Sequence, residues 1–446
     1  AAHRLWFCFP GYPHLPLMLD TAKGELRVDS AHRQTPVVTQ ARILSTIEQK
    51  TFDSVAAFWA SLSKEVEAAR FDSALRLFDM ERAPELFNGI ENIAFESFQI
   101  TPYPGQSLII ENGELRLVGL ELRHRLKGQR GTNAFFTPMF CRMAAQQDGT
   151  WRVKALTFPR TPAFWCRGFT QIMRSARFHV VHKDTEDDRQ QARLTAQTLE
   201  AAYDSLLAAG LPMSATYVAF HCSSEGDFQI LSGADPAFAS GAAPGQPIEE
   251  NGRLNVYNLA IYANDTTYRK SHTFGDPQAD QIIMLRHELV HLALGDWTRP
   301  WSPGWLVEGM AVYFSGERMT ERPDILAGAI RGGLSLRTLT GDSHLRPDNG
   351  DALGLYLKYQ LSARVVEWIA RHHGEASLLA LYTAFGAEFP ALWQRDSTSG
   401  HTPETSPAKQ AARVEMTELL LKKHLGTSIS QIEAAVGQEI MKAARR

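Results

Sequence analysis

The chain has 446 residues, 44% of them hydrophobic and 21% charged, which gives enough apolar mass for a core and length for two or three domains. A net charge of −3 and a pI near 6.6 offer no basic field for nucleic acid or an anionic membrane. No run reaches the roughly eighteen apolar residues that a membrane-spanning helix needs.

Four cysteines, Cys8, Cys141, Cys166 and Cys222, are scattered without a CxxC pair. They lack zinc-ribbon spacing and are too few for a disulfide framework. One or two disulfides stay compatible with the pattern, and buried thiols are the expectation. The chain opens at Ala1 without Met, which suggests a processed N-terminus and an extracytoplasmic, bacterial-type location.

Residues 1–46 carry Pro10, Pro13, Pro16 and Pro36 with little periodicity and predict an extended arm. From Phe52 to Asp79 the pattern is helical. In Leu120–Lys127, Leu120, Leu122, His124 and Leu126 alternate with Glu121, Arg123, Arg125 and Lys127, the signature of a half-buried strand. His124 lies on its apolar face and predicts a core histidine with a hydrogen-bond partner. The stretch AFFTPMFCRMAAQQDGTWRVKALTF predicts a hairpin turning at Asp148-Gly149. A helix followed by a curled antiparallel sheet, over 47–160, resembles the cone-shaped fold of nuclear-transport-factor or SnoaL-like domains. The likeness is one of pattern and names no function.

Further on, Arg177–His182 predicts a short strand. His179 and His182, three apart in it, point to opposite faces and cannot share a metal. Thr185 with Asp188 predicts a capped helix whose stripe is Ala192, Ala196, Leu199, Tyr203 and Leu206, closed by Gly210. Ala215–Cys222 and Leu254–Ala263 predict two more strands, the second one serving as the edge on which an extended peptide would lie.

Asp276-Pro277 opens a helix that contains His287-Glu288-Leu289-Val290-His291 and closes at Gly295. His287 and His291, one turn apart, share a face at about 6 Å between Cβ atoms. That suits two imidazoles converging on one zinc. Glu288 lies about 100° around the helix, beside the metal, where it could take a proton from an activated water. Ser302-Pro303 opens a second helix that carries Glu308 and runs to Gly316. The intervening residues, 292–307, allow a return pass that presents Glu308 as third ligand. Three protein ligands leave a fourth position open, the arrangement of a catalytic rather than a structural site.

HELVHLALGDW followed by PGWLVEGMAVYF resembles the gluzincins, zinc peptidases with an HExxH helix and a downstream glutamate ligand, and within them the bacterial peptidase-MA-like proteins. The resemblance spans about 170–390 and is specific at the two helices. It implies one zinc per chain at His287, His291 and Glu308, with Glu288 as general base. The thermolysin-like branch has an Asp four residues after the third ligand. Here that position is Val312, and Asp296 is the candidate for the supporting carboxylate. The aminopeptidase branch has a glutamate for the substrate amine. The strand at 254–263 has none, and Glu250 in the loop-like Pro247–Gly252 is a lookalike, so endopeptidase activity is favoured. The same branch places an oxyanion-donating Tyr before a long helix. Tyr359 fits that spacing, and Tyr356 is taken as a packing residue.

Together these readings predict an α+β chain. An arm (1–46) precedes a cone domain (47–160) and a thermolysin-like, gluzincin domain (170–446), with zinc helices over 277–316 and a helical lobe over 351–446. The function expected is zinc-dependent hydrolysis of a peptide or protein substrate. A zinc hydrolase of a non-peptide substrate, an aminopeptidase and a non-catalytic zinc scaffold are the rival readings. The Ser/Thr/Pro-rich stretch 395–409 predicts a mobile loop.

Overall fold

The computed structural model describes residues 2–7, 15–20, 25–28, 46–78, 84–102, 110–111, 114–129, 134–158, 162–237, 239–250, 253–264, 277–317, 322–342, 345, 351–388 and 406–445. The class is α+β, with antiparallel and mixed sheets alongside many helices. Two compact units are formed. The first comprises 1–197, 215–234 and 244–264, and the second 198–214, 235–243 and 265–446. The strands of 171–264 thus fall almost wholly with the N-terminal residues, while the proposed metal helices fall with the C-terminal lobe.

In the first unit the expected arm contains strands. β1 (Ala2–Phe7), β2 (Leu15–Asp20) and β3 (Glu25–Val28) form an antiparallel meander. The helix expected from Phe52 begins earlier, as α1 (Thr46–Glu67). Its residues Val55, Trp59, Leu62 and Val66 are buried at four-, three- and four-residue intervals, one face of a helix. Short helices α2 (Phe71–Leu75) and α3 (Pro84–Phe87) lead into β4 (Phe95–Pro102). With β5 (Ile110–Glu111), β6 (Glu114–Leu126), β7 (Phe135–Ala145) and β8 (Trp151–Thr157) it builds an antiparallel sheet in the order β4-β6-β7-β8, β5 pairing with β6.

An edge strand such as β4 leaves backbone donors unpaired. Here α1 supplies acceptors: Ile100 N donates to Ser63 Oγ at 2.9 Å and Phe98 N to Glu67 Oε1 at 2.8 Å. The β7–β8 hairpin turns where expected, at Asp148 and Gly149. Gly149 has φ 80°, and the Asp148 carboxylate accepts from Thr150 N and Oγ1.

Next, β9 (Gln171–Arg174), β10 (Phe178–His182), α4 (Glu186–Ala208), β11 (Tyr217–Cys222) and α5 (Glu225–Ser232) follow in the chain. β10 and β11 are parallel, as a helical crossover between them requires. Thr185 and Asp188 form the expected capping box on α4, and the predicted apolar stripe is buried. β12 (Gly241–Ala242) belongs to the second unit. β13 (Gln246–Glu250) and β14 (Arg253–Tyr257) make a hairpin in the first, and β15 (Ile261–Asn264) runs parallel to β11.

The single strand expected over Leu254–Ala263 is therefore two strands in different sheets. Asn258 separates them. It sits in the left-handed region at φ 57°, a conformation Asn tolerates better than most residues. Its amide accepts from Phe136 N at 2.7 Å and donates to Phe136 O at 3.0 Å, standing in for a strand neighbour beside β7. Pro247–Gly252, read as a loop, supplies β13 up to Glu250.

Among its described residues the second unit is helical apart from β12. It holds α6 (Pro277–Leu294), α7 (Gly304–Ser315), α8 (Pro323–Arg331), α9 (Leu336–Gly341), α10 (Ala352–His373), α11 (Glu375–Ala387), α12 (Pro407–Leu425) and α13 (Ile429–Ala443). Its helix starts follow local chemistry: Ser335, Asp351, Ser406 and Ser428 each accept from a backbone N–H three residues on. Asp276, expected to cap α6, and most of the 395–409 stretch lie outside the described residues. No described helix is long and apolar enough to cross a membrane. Cys141 and Cys222 are buried thiols.

His124 departs from expectation in one respect. It is buried on β6, as the alternation predicts, but neither ring nitrogen has a hydrogen-bond partner. Phe135 stacks on it at 5.1 Å between centroids, and Trp165 meets it edge-on at 4.8 Å. Burial in this aromatic box lowers its pKa to about 3. Between that value and the ordinary 6.5 the unfolded chain binds a proton that the folded chain does not, so stability falls as pH drops through this window. The slope from this group reaches about 1.4 kcal/mol per pH unit. The His124→Phe variant should show a flatter stability–pH curve in denaturant titrations between about pH 4 and 6. Parallel curves for the two proteins would refute this.

Candidate metal centre

Two helices bring the motif residues together. On α6, Leu285, Leu289 and Leu292 are buried on the face away from His287 and His291, which fixes the rotation of the helix about its axis. On α7, Glu308 sits in the second turn. The expected cap Ser302 is displaced by one residue: Pro303 is the N-cap, at φ −72° and ψ 137°, and Ser302 Oγ instead accepts from Arg299 N. The helix ends as expected, with Gly316 in the left-handed conformation at φ 71°.

The connection between these helices is held from several sides. Thr298 Oγ1 shares a hydrogen bond with Tyr382 Oη at 2.8 Å, and Trp301 Nε1 donates to Phe385 O at 2.9 Å. The fully buried Arg413 directs Nε and Nη2 to Pro300 O and Nη1 to Gly341 O. Gly304 N donates to Asp342 O and Trp305 Nε1 to Thr340 Oγ1. Gly309, next to Glu308, lets α7 and α10 approach closely. A Cβ there would lie 2.6 Å from Val366 Cγ2 and 2.7 Å from Ser362 O.

The outcome is a triangle of donor atoms. His287 Nε2 and His291 Nε2 lie 3.2 Å apart, and Glu308 Oε2 is 3.5 Å from the first and 3.4 Å from the second. Ligands at 2.0–2.1 Å around a tetrahedral zinc are separated by about 3.3–3.4 Å, so this triangle matches one face of such a site. Among the described residues these three form a group that could hold a metal ion. The donor set of two imidazoles and one carboxylate suits zinc and leaves a coordination position open.

The surrounding charges separate the carboxylates. Burial would raise the Glu308 pKa, but the cationic field and hydrogen bonds of His291 and His287 outweigh it and hold Glu308 far below the usual carboxylate range. Glu288 is buried beside it. Desolvation raises its pKa, opposed by His287 and His291 and assisted by Glu308 and Glu317. For His287, burial favours the neutral ring, yet hydrogen bonds to Glu308 and Glu317 prevail and push its pKa well up.

Tyr359 stands at this centre, beside Glu308. Burial, then the fields of Glu308 and Glu288, push its pKa well up, so it remains a protonated donor at neutral pH. Tyr356 lies one turn earlier on α10.

One expectation requires correction. Asp296 is exposed beyond the end of α6 and makes no hydrogen bond or ion pair with a site residue. The carboxylate beside a histidine is instead Glu317, whose Oε2 lies 3.0 Å from His287 Nδ1. Within the second unit, β12 lies against the metal helix. A Cβ at Gly241 would overlap Met284 Sδ and come within 2.9 Å of Glu288 Cγ. Sequence offered little signal for either: Glu317 follows a helix terminus, and a two-residue strand has no alternation to read.

The triangle predicts that one metal ion binds per chain. With zinc as the ion supplied, at a free concentration of 100 times Kd, the fold should be stabilised by about 2.7 kcal/mol. His287→Ala, His291→Ala and Glu308→Ala should each abolish that gain and the bound metal, as read by metal analysis and thermal denaturation. Undiminished zinc content in His287→Ala would refute the assignment. No family model, curated protein or solved structure matches the chain.

Proposed function

We propose that the protein is a zinc-dependent peptide hydrolase acting as an endopeptidase, with the metal held by His287, His291 and Glu308. The observation that carries this reading is the donor triangle with a buried Glu288 at its flank and Tyr359 beside Glu308. A scaffold that only bound metal would have no use for a desolvated carboxylate beside its ligands. A bound zinc supplies Lewis acidity, polarising a carbonyl and lowering the pKa of a water towards ~7.

The protein's own groups do the rest. Glu288, raised in pKa by burial, takes a proton from the attacking water and returns it to the leaving amine. Tyr359 donates its hydroxyl hydrogen to the oxyanion of the tetrahedral intermediate. β12, beside Glu288, offers backbone groups to an extended substrate chain. The lack of a glutamate on β12 favours internal cleavage over capture of a free amino terminus. The helix α1 laid on the sheet β4-β6-β7-β8 supports reading 47–160 as a cone-shaped, SnoaL-like domain, and the two metal helices with their helical lobe support the gluzincin reading of the remainder.

The test is a zinc-loaded digest of denatured proteins mapped by mass spectrometry. New internal cleavage sites are expected. A ladder trimmed from the amino terminus would favour an aminopeptidase, and no peptide product would favour a non-peptide substrate. Glu288→Gln should keep zinc and lose about 10²–10⁴ in turnover. Retention of a tenth or more of the rate, about 1.4 kcal/mol of barrier or less, would overturn its role. Tyr359→Phe should cost about 10²–10³ in turnover with zinc content and KM little changed, whereas Tyr356→Phe should do little. A loss confined to Tyr356→Phe would reverse the assignment.

A further inference from the structure

We propose that Glu317 is a positioning residue that fixes the tautomer and ring orientation of His287; the proposal rests on the metal-site reading above. The argument starts at the end of α7. Gly316, in the left-handed conformation, turns the chain back on itself. The next residue is then pinned by its own backbone: Glu317 N donates to Ser315 Oγ at 3.2 Å, and the buried Ser315 Oγ donates to Val312 O at 3.0 Å. From there the side chain spans to α6 and sets Oε2 3.0 Å from His287 Nδ1.

The chemistry of that contact is one-sided. An ionised carboxylate only accepts, so the ring nitrogen facing it must carry the hydrogen. With the hydrogen held on Nδ1, the neutral ring that a metal would bind keeps its lone pair on Nε2, the nitrogen that faces His291 and Glu308. No described residue does the same for the Nδ1 of His291. The two histidines are therefore unequal: among the described residues His287 has a carboxylate on its Nδ1 and His291 has none.

Other sources for this support are closed. The position four residues after Glu308 is the buried, apolar Val312, and Asp296 points to solvent. Glu317, nine residues after Glu308 in sequence, reaches the ring because of the turn at Gly316.

The experiment uses the full-length chain, with zinc affinity measured by competition against a chromophoric chelator and metal-free folding checked by thermal denaturation. Glu317→Ala should weaken zinc by about 10–100-fold. It should also remove the downfield imidazole N–H resonance of His287 in the metal-free protein. Glu317→Gln, which keeps the volume, should fall between Glu317→Ala and the wild type and serves as the measured variant if the alanine protein does not fold. A zinc affinity within about threefold of wild type in the folded variant, with that resonance retained, overturns the proposal. The metal reading fails separately: if His291→Ala binds zinc as tightly as the wild type, the site itself is wrong, whatever Glu317 does.

Discussion

Two imidazole nitrogens and a carboxylate oxygen within 3.5 Å of one another make an arrangement their own hydrogens cannot fully satisfy. The carboxylate brings no proton, and each neutral ring brings one, which it can place at only one of its nitrogens. A cation at the centre resolves the conflict. The same crowding pushes Glu308 below, and His287 above, their ordinary values, because each favours the charged form of the other. A constellation of this kind relaxes apart unless the backbone holds it. The close contact at Gly309 answers that need: α7 and α10 meet at van der Waals distance where Glu308 emerges, and Tyr359, one turn before Ser362 on α10, is carried to the same point.

Environment gives the carboxylates different properties. Glu308 lies 3.5 and 3.4 Å from the Nε2 atoms of His287 and His291, and their field favours its charged form. Glu288 is desolvated, so its proton affinity rises. The first environment suits a metal ligand and the second suits a base, as the proposed reading requires. Gly241 is part of the second, because a side chain there would occupy the space Glu288 needs. The absence of a Cβ at that one position lets β12 and Glu288 stay in contact.

What was legible in the sequence was whatever depends on helical spacing. His287, His291 and Glu288 are set by one turn of α6, and Glu308 by the return of α7, whose Gly316 terminus was visible as a glycine after an apolar run. Tyr359 was singled out through the aminopeptidase resemblance and its spacing to Gly374, not by helical periodicity. Features that depend on contacts distant in sequence were hidden. Asn258 looks like a strand residue until its amide is found paired with Phe136, 122 residues away in the chain. Asp296 looked well placed because the extent of α6 was read to Gly295, yet the helix stops at Leu294 and leaves the carboxylate in solvent. His124 was correctly placed on a buried face, but its lack of any partner is a property of the aromatic rings around it and no alternation reveals that.

The metal centre is thus local in its donors and non-local in its support. His287, His291 and Glu308 come from 22 consecutive residues, but the connection between them is tied to Thr340, Asp342, Tyr382, Phe385 and Arg413. Most of these ties use backbone carbonyls or side chains on α9, α11 and α12. The buried Arg413 guanidinium ties two points of this connection at once, since Pro300 O and Gly341 O both accept from it. An HExxH helix in isolation would present the same residues on the same face without fixing where Glu308 falls. The C-terminal lobe therefore acts on the chemistry by geometry: it decides whether the third ligand arrives at 3.4 Å or drifts away, and the helical spacing decides the rest.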